Sequence, residues 1–326
     1  VFDFIKKLFG QKSEPAVADH PTAPEDEQEK SAALPVGEVF SDVEPSESEQ
    51  ILTAPLADAQ DFVNPGGAVE PAQFISVVGQ SVGKQRDHNE DTLFALSAIL
   101  ATDASSQPLG IYIIADGMGG HQHGELASGV AAKTVANHLI NRLYAPFYSL
   151  DPEPPSDPLQ EMMKDAISEA QRMVIKQVPG GGTTLTAVVL LGEQMTLAHV
   201  GDSRAYLIHP DNRFQLISHD HSLVQRLVEL GQITDEEALT HPQRNVVYRA
   251  IGQMEPFEPD ISTLPLPKGG YILLCSDGLW GVVPENKVLS IIRENSDLGE
   301  ASRLLLKAAN DNGGPDNISL VLVKCP

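Results

Sequence analysis

Cysteine is nearly missing from this sequence. Only Cys275 and Cys325 occur in 326 residues, too few for a disulfide framework. Cys275 lies in an apolar run and reads as a small packed hydrophobe rather than a reactive thiol. Positive charge is scarce as well: 22 Lys and Arg stand against 45 Asp and Glu, a net charge of −23. Such a chain repels phosphate backbones, which argues against nucleic acid as a partner. No apolar run approaches the about 20 residues that cross a bilayer, and the opening residues show no secretory signal pattern. What remains is 41% hydrophobic residues, ample for a real core at this length. The expectation is a cytoplasmic, monomeric, globular protein with no transmembrane segment.

The hydrophobic residues are unevenly spread. In residues 1–10, Phe2, Ile5 and Phe9 share one helical face, with Lys6 and Lys7 opposite. That pattern suits a weak contact with a membrane surface or a partner groove, although about two turns are marginal alone, and a frayed terminus with no task is the equal alternative. Residues 11–70 hold fourteen acidic and two basic residues and seven prolines, with no apolar period between them. Such a segment buries too little to offset the entropy of ordering. Residues 1–71 are therefore expected to form a disordered acidic tail with a short amphipathic start, and residues 72–326 the globular domain.

Within that domain the most informative stretch is Ile111-Tyr-Ile-Ile-Ala-Asp-Gly-Met-Gly-Gly-His121. A β-branched apolar run predicts a buried strand. It ends in Asp116, and the glycines that follow let backbone turn and approach a bound group. The arrangement recurs at Asp277 after Gly270–Ser276, at Asp202 after Leu197–Gly201, and at Asp316 just before the last apolar run. One Asp-Gly pair is ordinary turn chemistry. Four carboxylates at strand ends point instead to hard divalent cations such as Mg²⁺ or Mn²⁺, which prefer oxygen ligands.

Periodicity predicts further strands at 74–79, 92–96, 183–191, 195–200, 205–208, 261–266, 271–276 and 318–324. Helices are expected near 126–144, 159–177, 284–293 and 300–309. Residues 219–252 break the pattern. A short helix at 219–231 stops at Gly231, and the remainder reads as polar loop, an insertion placed where a lid could lie. Strand runs interrupted by helix pairs, without βαβ alternation, favour an α+β layered architecture.

Seven motifs in this order resemble the metal-dependent protein phosphatases of the 2C type, especially their bacterial branch. They are Arg86-Asp-His-Asn-Glu-Asp91, Ala115-Asp-Gly-Met-Gly-Gly120, Gly182-Thr-Thr184, Val200-Gly-Asp-Ser-Arg204, His241-Pro-Gln-Arg-Asn245, Ser276-Asp-Gly-Leu-Trp280 and Gly314-Pro-Asp-Asn-Ile318. The resemblance covers about residues 72–326. It implies a four-layer αββα sandwich, two antiparallel sheets flanked by antiparallel helices, with residues 219–252 as a flap. It implies two core Mn²⁺ or Mg²⁺ ions bridged by Asp116. Asp277 and Asp316 would hold the first ion. Glu90 and the Gly117 carbonyl would face the second, Asp91 would support bound waters, and Asp202 with Asp277 would hold a weaker third ion. Arg86 would meet the phosphate of a phosphoserine or phosphothreonine protein.

The implied chemistry is self-consistent. Two ions roughly 3.5–4 Å apart can acidify a water, orient a phosphate and stabilise an in-line displacement. Arg86 offers a planar fork matched to phosphate oxygens. No Cys or Ser nucleophile is needed; Ser203 and Ser276, beside aspartates in turns, read as capping residues. One departure stands out. Eukaryotic members often carry a histidine after the Asp-Gly pair, where this chain has Met118. Met cannot donate a proton to the leaving alkoxide, so a metal-bound water or a nearby histidine would have to do so, His121 being the histidine candidate. His199 reads as a core histidine, His88 as a structural loop residue, and His219 and His221 as caps of the 219–231 helix. Two other readings share these residues: a phosphatase-like binder without turnover, and a hydrolase of small phosphate esters.

Overall fold

The computed structural model describes residue 8 and residues 71–326, apart from 103–104, 121, 151–156 and 254–256. The expectations for residues 1–71 otherwise lie outside the described residues, including the face formed by Phe2, Ile5 and Phe9. Leu8 is described, and it is buried in this chain's own core, packed with the helices of one outer layer.

Two five-stranded antiparallel sheets form the centre. The first orders β1 (Ile75–Ser81), β12 (Ile318–Lys324), β11 (Tyr271–Cys275), β8 (Arg204–Ile208) and β9 (Phe214–Leu216). The second orders β10 (Asp260–Pro265), β7 (Gln194–Val200), β6 (Leu185–Leu191), β3 (Ser105–Ala115) and β2 (Thr92–Thr102). A two-stranded ribbon, β4 (Gly117–Met118) with β5 (Gly182–Thr183), stands beyond the β3 and β6 ends of the second sheet.

Period-two side-chain geometry makes the layers. On β3, Tyr112 and Ile114 face the other sheet, while Ile111, Ile113 and Ala115 face outward to helices. On β12, Val321 and Val323 point inward, and Ile318, Leu320 and Leu322 outward. Both faces are buried, so these strands are continuous apolar runs. Each fully buried branched side chain contributes roughly 1.5–3 kcal/mol.

Helices cover the outer faces. α1 (Gln122–Leu139), extended by a π-helical turn at Ile140–Tyr144, packs with α2 (Leu159–Gln177) on the second sheet. α6 (Glu285–Glu294) and α7 (Leu298–Asp311) pack on the first. The expected αββα sandwich is thus the observed architecture. Cys275 and Cys325 are buried free thiols, pushed up to about 12 by burial, as packing residues should be.

Three local expectations change. β2 and β3 are eleven-residue arms of one long hairpin, more than twice the expected 92–96 strand. β9 was not expected. Within 219–252, the stretch read as loop contains a second helix after α3 (Leu223–Glu229): α4 (Asp235–Thr240), closed by a capping box between Thr234 and Glu237. That Thr-x-x-Glu signature stands in the sequence; the shortness of the helix and its lack of a buried face hid it.

Register brings the functional loops together. Thr92 pairs with Ala115, and Leu185 with Val200, at one end of the second sheet. Ser81 pairs with Ile318, and Cys275 with Arg204, at one end of the first. The loops carrying residues 83–91, 116–120, 201–203, 276–277 and 313–317 all leave from these ends.

Candidate active site

Asp116 follows β3 directly, and its backbone is held on both sides. Its N–H donates to Thr184 Oγ1 (2.9 Å). Its carbonyl accepts from Thr184 N (2.9 Å) and Thr183 Oγ1 (2.8 Å). Thr184 is braced in turn by Ser203 Oγ at 2.7 Å. Asp277 opens α5 (Asp277–Trp280), so its carboxylate projects from a helical first turn.

The loop carrying Arg86, Glu90 and Asp91 is locked to the Asp316 turn by Asn317. Asn317 Oδ1 accepts from Glu90 N (2.8 Å), and its Nδ2 donates to the carbonyls of Val82 (2.9 Å) and His88 (2.8 Å). Gly83 adopts φ +82° there, and a Cβ would stand 2.3 Å from the Asp316 carbonyl. Asn317 lay within a quoted motif but no role was expected of it. An Asn that bonds three backbone groups of another loop leaves no periodic signal.

Arg86 Nη2 donates to Asp316 Oδ2 at 2.7 Å, and the guanidinium stays half exposed at the rim of the pit. Gly117 is required for a reason beyond ligand access. A Cβ there would lie 2.3 Å from Gly124 O and 2.6 Å from Glu90 O, and one on Gly124 would lie 1.8 Å from Glu90 Oε2. The start of α1 and the Glu90 loop therefore close directly on the Asp116–Gly117 turn.

Asp91, Asp116, Asp202, Asp277 and Asp316 come within electrostatic reach of one another. Burial first, then the charges of Asp91, Asp277, Asp202 and Asp316, hold Asp116 well above the usual carboxylate range. Burial and then Asp202, Asp316 and Asp91 do the same to Asp277, with Arg86 opposing. Asp91 is pushed up to about 6, by burial above all, against hydrogen bonds from Ser319 and Ser276. Asp202 is pushed up to about 7 by burial and then by Asp220. Arg86 is itself raised: partial burial opposes its charge, but Asp316, Glu90 and Asp116 outweigh it.

These carboxylates are not satisfied by the protein. Asp91 Oδ1 and Asp277 Oδ1 are buried with no hydrogen-bond partner. Buried carboxylate oxygens without donors are costly, and a hard cation is the group that answers such an oxygen set.

The serines do not cap. Ser276 Oγ donates to Asp91 Oδ2 (2.9 Å) and accepts from Ser319 N (2.9 Å), while Ser203 serves Thr184. Nor do the histidines of the 219–231 stretch: Ser222 caps α3 through Gln225 N. His219 pairs with Glu229, and His221 docks on the loop before Asp202, its Nδ1 accepting from Gly201 N at 3.0 Å. That bond leaves the ring proton on Nε2, aimed at Asp260 Oδ2 (3.1 Å). His219, His221 and Asp260 have the composition of a metal site, but Arg249 Nη1 already lies 2.9 Å from Asp260 Oδ1 and 3.0 Å from His221 Nε2. His199 is a core histidine, bonded to Thr186 and to the carbonyls of Gly201 and His219. His88 bonds Asp87 and Glu90. His121 lies outside the described residues.

A buried fork borders the pit. Arg204 Nε and Nη2 both reach Asp220, at 2.8–3.1 Å, and its guanidinium lies 3.6 Å over the Trp280 ring. Trp280 Nε1 donates to the Asp202 carbonyl at 3.0 Å. This ties the root of the 219–252 segment to the loops of Asp202 and Asp277.

Fold and pit together define a hydrolase class built on a two-sheet sandwich with carboxylates gathered at one end. Comparison with known proteins places the chain within it. The family model for protein phosphatase 2C matches residues 75–318. The chain is 37% identical over 221 residues to the protein phosphatase PhpP of Streptococcus pneumoniae, covering 65% of this chain and 84% of that one. Among solved structures, the Mycobacterium tuberculosis serine/threonine phosphatase PstP/Ppp superposes with a TM-score of 0.65 at 31% identity, covering 77% of this chain and 98% of that one. A PstP catalytic domain in complex with two manganese ions gives a TM-score of 0.63 at 30% identity, with 77% and 97% covered. The chain belongs to the protein phosphatase 2C family and is a phosphoprotein phosphatase. Among the described residues no helix is long and apolar enough to cross a membrane.

Proposed function

We propose that the chain hydrolyses phosphoserine and phosphothreonine in proteins with divalent metal ions, Mn²⁺ or Mg²⁺, at the aspartate pit. The observation that carries this reading is the convergence of five aspartates around two buried, partnerless oxygens, beside a half-exposed arginine. Asp116, Asp277 and Asp316 would hold two ions together with Glu90 and the Gly117 carbonyl. Asp91 would orient water, and Asp202 with Asp277 would take a third. When bound, such ions supply an acidified water and neutralise charge that develops on the phosphate.

The chain's own residues do the rest. Arg86 keeps one edge on Asp316 and presents its remaining N–H groups to the phosphate, so the ester is oriented before attack. Ser276 and Ser319 fix one oxygen of Asp91 and leave the other free. Thr183 and Thr184 hold the Asp116 backbone, so its carboxylate needs no reorganisation. Asp277 turned to Asn should abolish Mn²⁺-dependent release of phosphate from a phosphothreonine peptide. Equal turnover by that variant, or by the unmodified chain in chelator, would sink the reading.

A further inference from the structure

The groove running out from the pit is larger than a phosphate requires. It encloses about 610 Å³, from Arg86, Asp277 and Asp316 at its inner end to α3, α4 and the α5–α6 turn at its outer end. Its inner end carries the buried, partnerless Asp277 Oδ1. Its apolar lining includes Leu239, Trp280 and Val282. Leu239 is 60% exposed, on a helix with no buried residue.

Its exposed rim carries acids from two helices. Asp235 and Glu236 stand on α4 and Glu285 at the start of α6, and all three line the groove. None of the three has an ion-pair partner among the described residues. The other charges are arranged differently: Arg204 and Asp220 neutralise each other, Arg86 is held by Asp316, and Arg244 is the remaining cation of the lining. Helix dipoles favour acids in first turns, but they do not require acids from two helices to face one groove. Glu237 already completes the capping box of α4, so Asp235 and Glu236 are not needed for it. Glu285 is exposed, and it also lines the neighbouring cleft with Tyr206 and Trp280.

We propose that this groove holds the polypeptide on one side of the phosphorylated residue and selects a basic side chain there, seated between the α4 and α6 carboxylates, with an apolar neighbour on Leu239 and Trp280. The inference rests on the phosphatase reading and adds the kind of substrate. A phosphopeptide brings negative charge to a chain of net charge −23. An acidic flank would be repelled along the rim, and a basic flank is drawn in over about one Debye length, roughly 10 Å at 0.1 M salt.

The test uses two phosphothreonine peptides that differ only in Arg or Glu near the phosphorylated residue, assayed with Mn²⁺ on the full chain and on the triple variant Asp235→Asn, Glu236→Gln, Glu285→Gln. The expected result is a preference for the Arg peptide of about tenfold in kcat/KM, carried mainly by KM, that shrinks in high salt and collapses in the triple variant. Equal rates, a preference for Glu, or a preference unchanged in the variant would overturn the proposal. Hydrolysis of p-nitrophenyl phosphate by the unmodified chain separates the two levels. Turnover of the small ester without peptide preference removes the groove assignment alone. No turnover of any ester removes the phosphatase reading, and this inference with it.

Discussion

Two buried polar clusters sit side by side at the same end of the sandwich, and they are balanced in opposite ways. In the pit, five aspartates repel one another, two oxygens have no partner, and the nearest guanidinium is half exposed. A few residues away, Arg204 forks onto Asp220 under Trp280, and His199 and His221 have both ring nitrogens engaged. The β7–β8 loop touches both clusters through Asp202, whose carbonyl is held by Trp280. The closed cluster is architecture: its charges cancel within the protein. The open one is incomplete without a ligand. Strain left in the protein alone is thus a better marker of the site than the mere presence of buried charge.

The sharpest way to break this comparison is to neutralise one member of each cluster. Asp277→Asn is expected to lower phosphatase activity by about a thousandfold or more, roughly 4 kcal/mol of barrier. The same variant should melt higher than the unmodified chain in chelator, because one repelling charge is gone. A lower metal-free melting point, measured by calorimetry, would contradict the view of the pit as destabilised. Asp220→Ala should do the reverse. It strands a largely buried guanidinium, and breaking such a pair costs about 3–5 kcal/mol, read from denaturant unfolding at fixed metal. A loss below about 1 kcal/mol would mean that the fork is ornamental.

Acid separates the clusters next. Burial, then the neighbouring His221, holds His199 down to about 3, against an ordinary value of 6.5. A base with a depressed folded pKa gives stability that is complete above the ordinary value and fades as pH falls toward the folded one. Between pH 6.5 and 5 the chain should lose about 2 kcal/mol through this one group, and His199→Gln should flatten that slope. An unchanged slope in the variant would assign the loss elsewhere. The smallest effect concerns the rim. Arg86→Lys keeps the charge but loses the fork, and KM for a phosphopeptide should rise about tenfold, in line with one lost charge-assisted hydrogen bond. If kcat fell and KM did not, Arg86 would act on the reacting group rather than in binding.

Much of this site was legible before folding. Asp116, Asp202, Asp277 and Asp316 follow apolar runs or precede one, so each could be placed at a strand end from local pattern alone. The layered α+β class followed from the same periods. The failures have physical causes as well. α4 shows no apolar face, so periodicity was silent although its capping box was present. The 92–115 hairpin carries an interrupted apolar pattern along its outer half, so β2 was cut short. Ser276 and Asn317 were misjudged or passed over because their partners, Asp91 and the Glu90 loop, lie some two hundred positions away.

Local sequence therefore determined which segments are strands and which residues stand at their ends, since side-chain period and turn chemistry act over a few neighbours. Only the tertiary structure decided which of those charges would be cancelled. Asp220 met Arg204 and was paired; Asp277 met other carboxylates and was not. That outcome depends on sheet register across long chain separations, where one step along a strand would have turned each side chain to the opposite face.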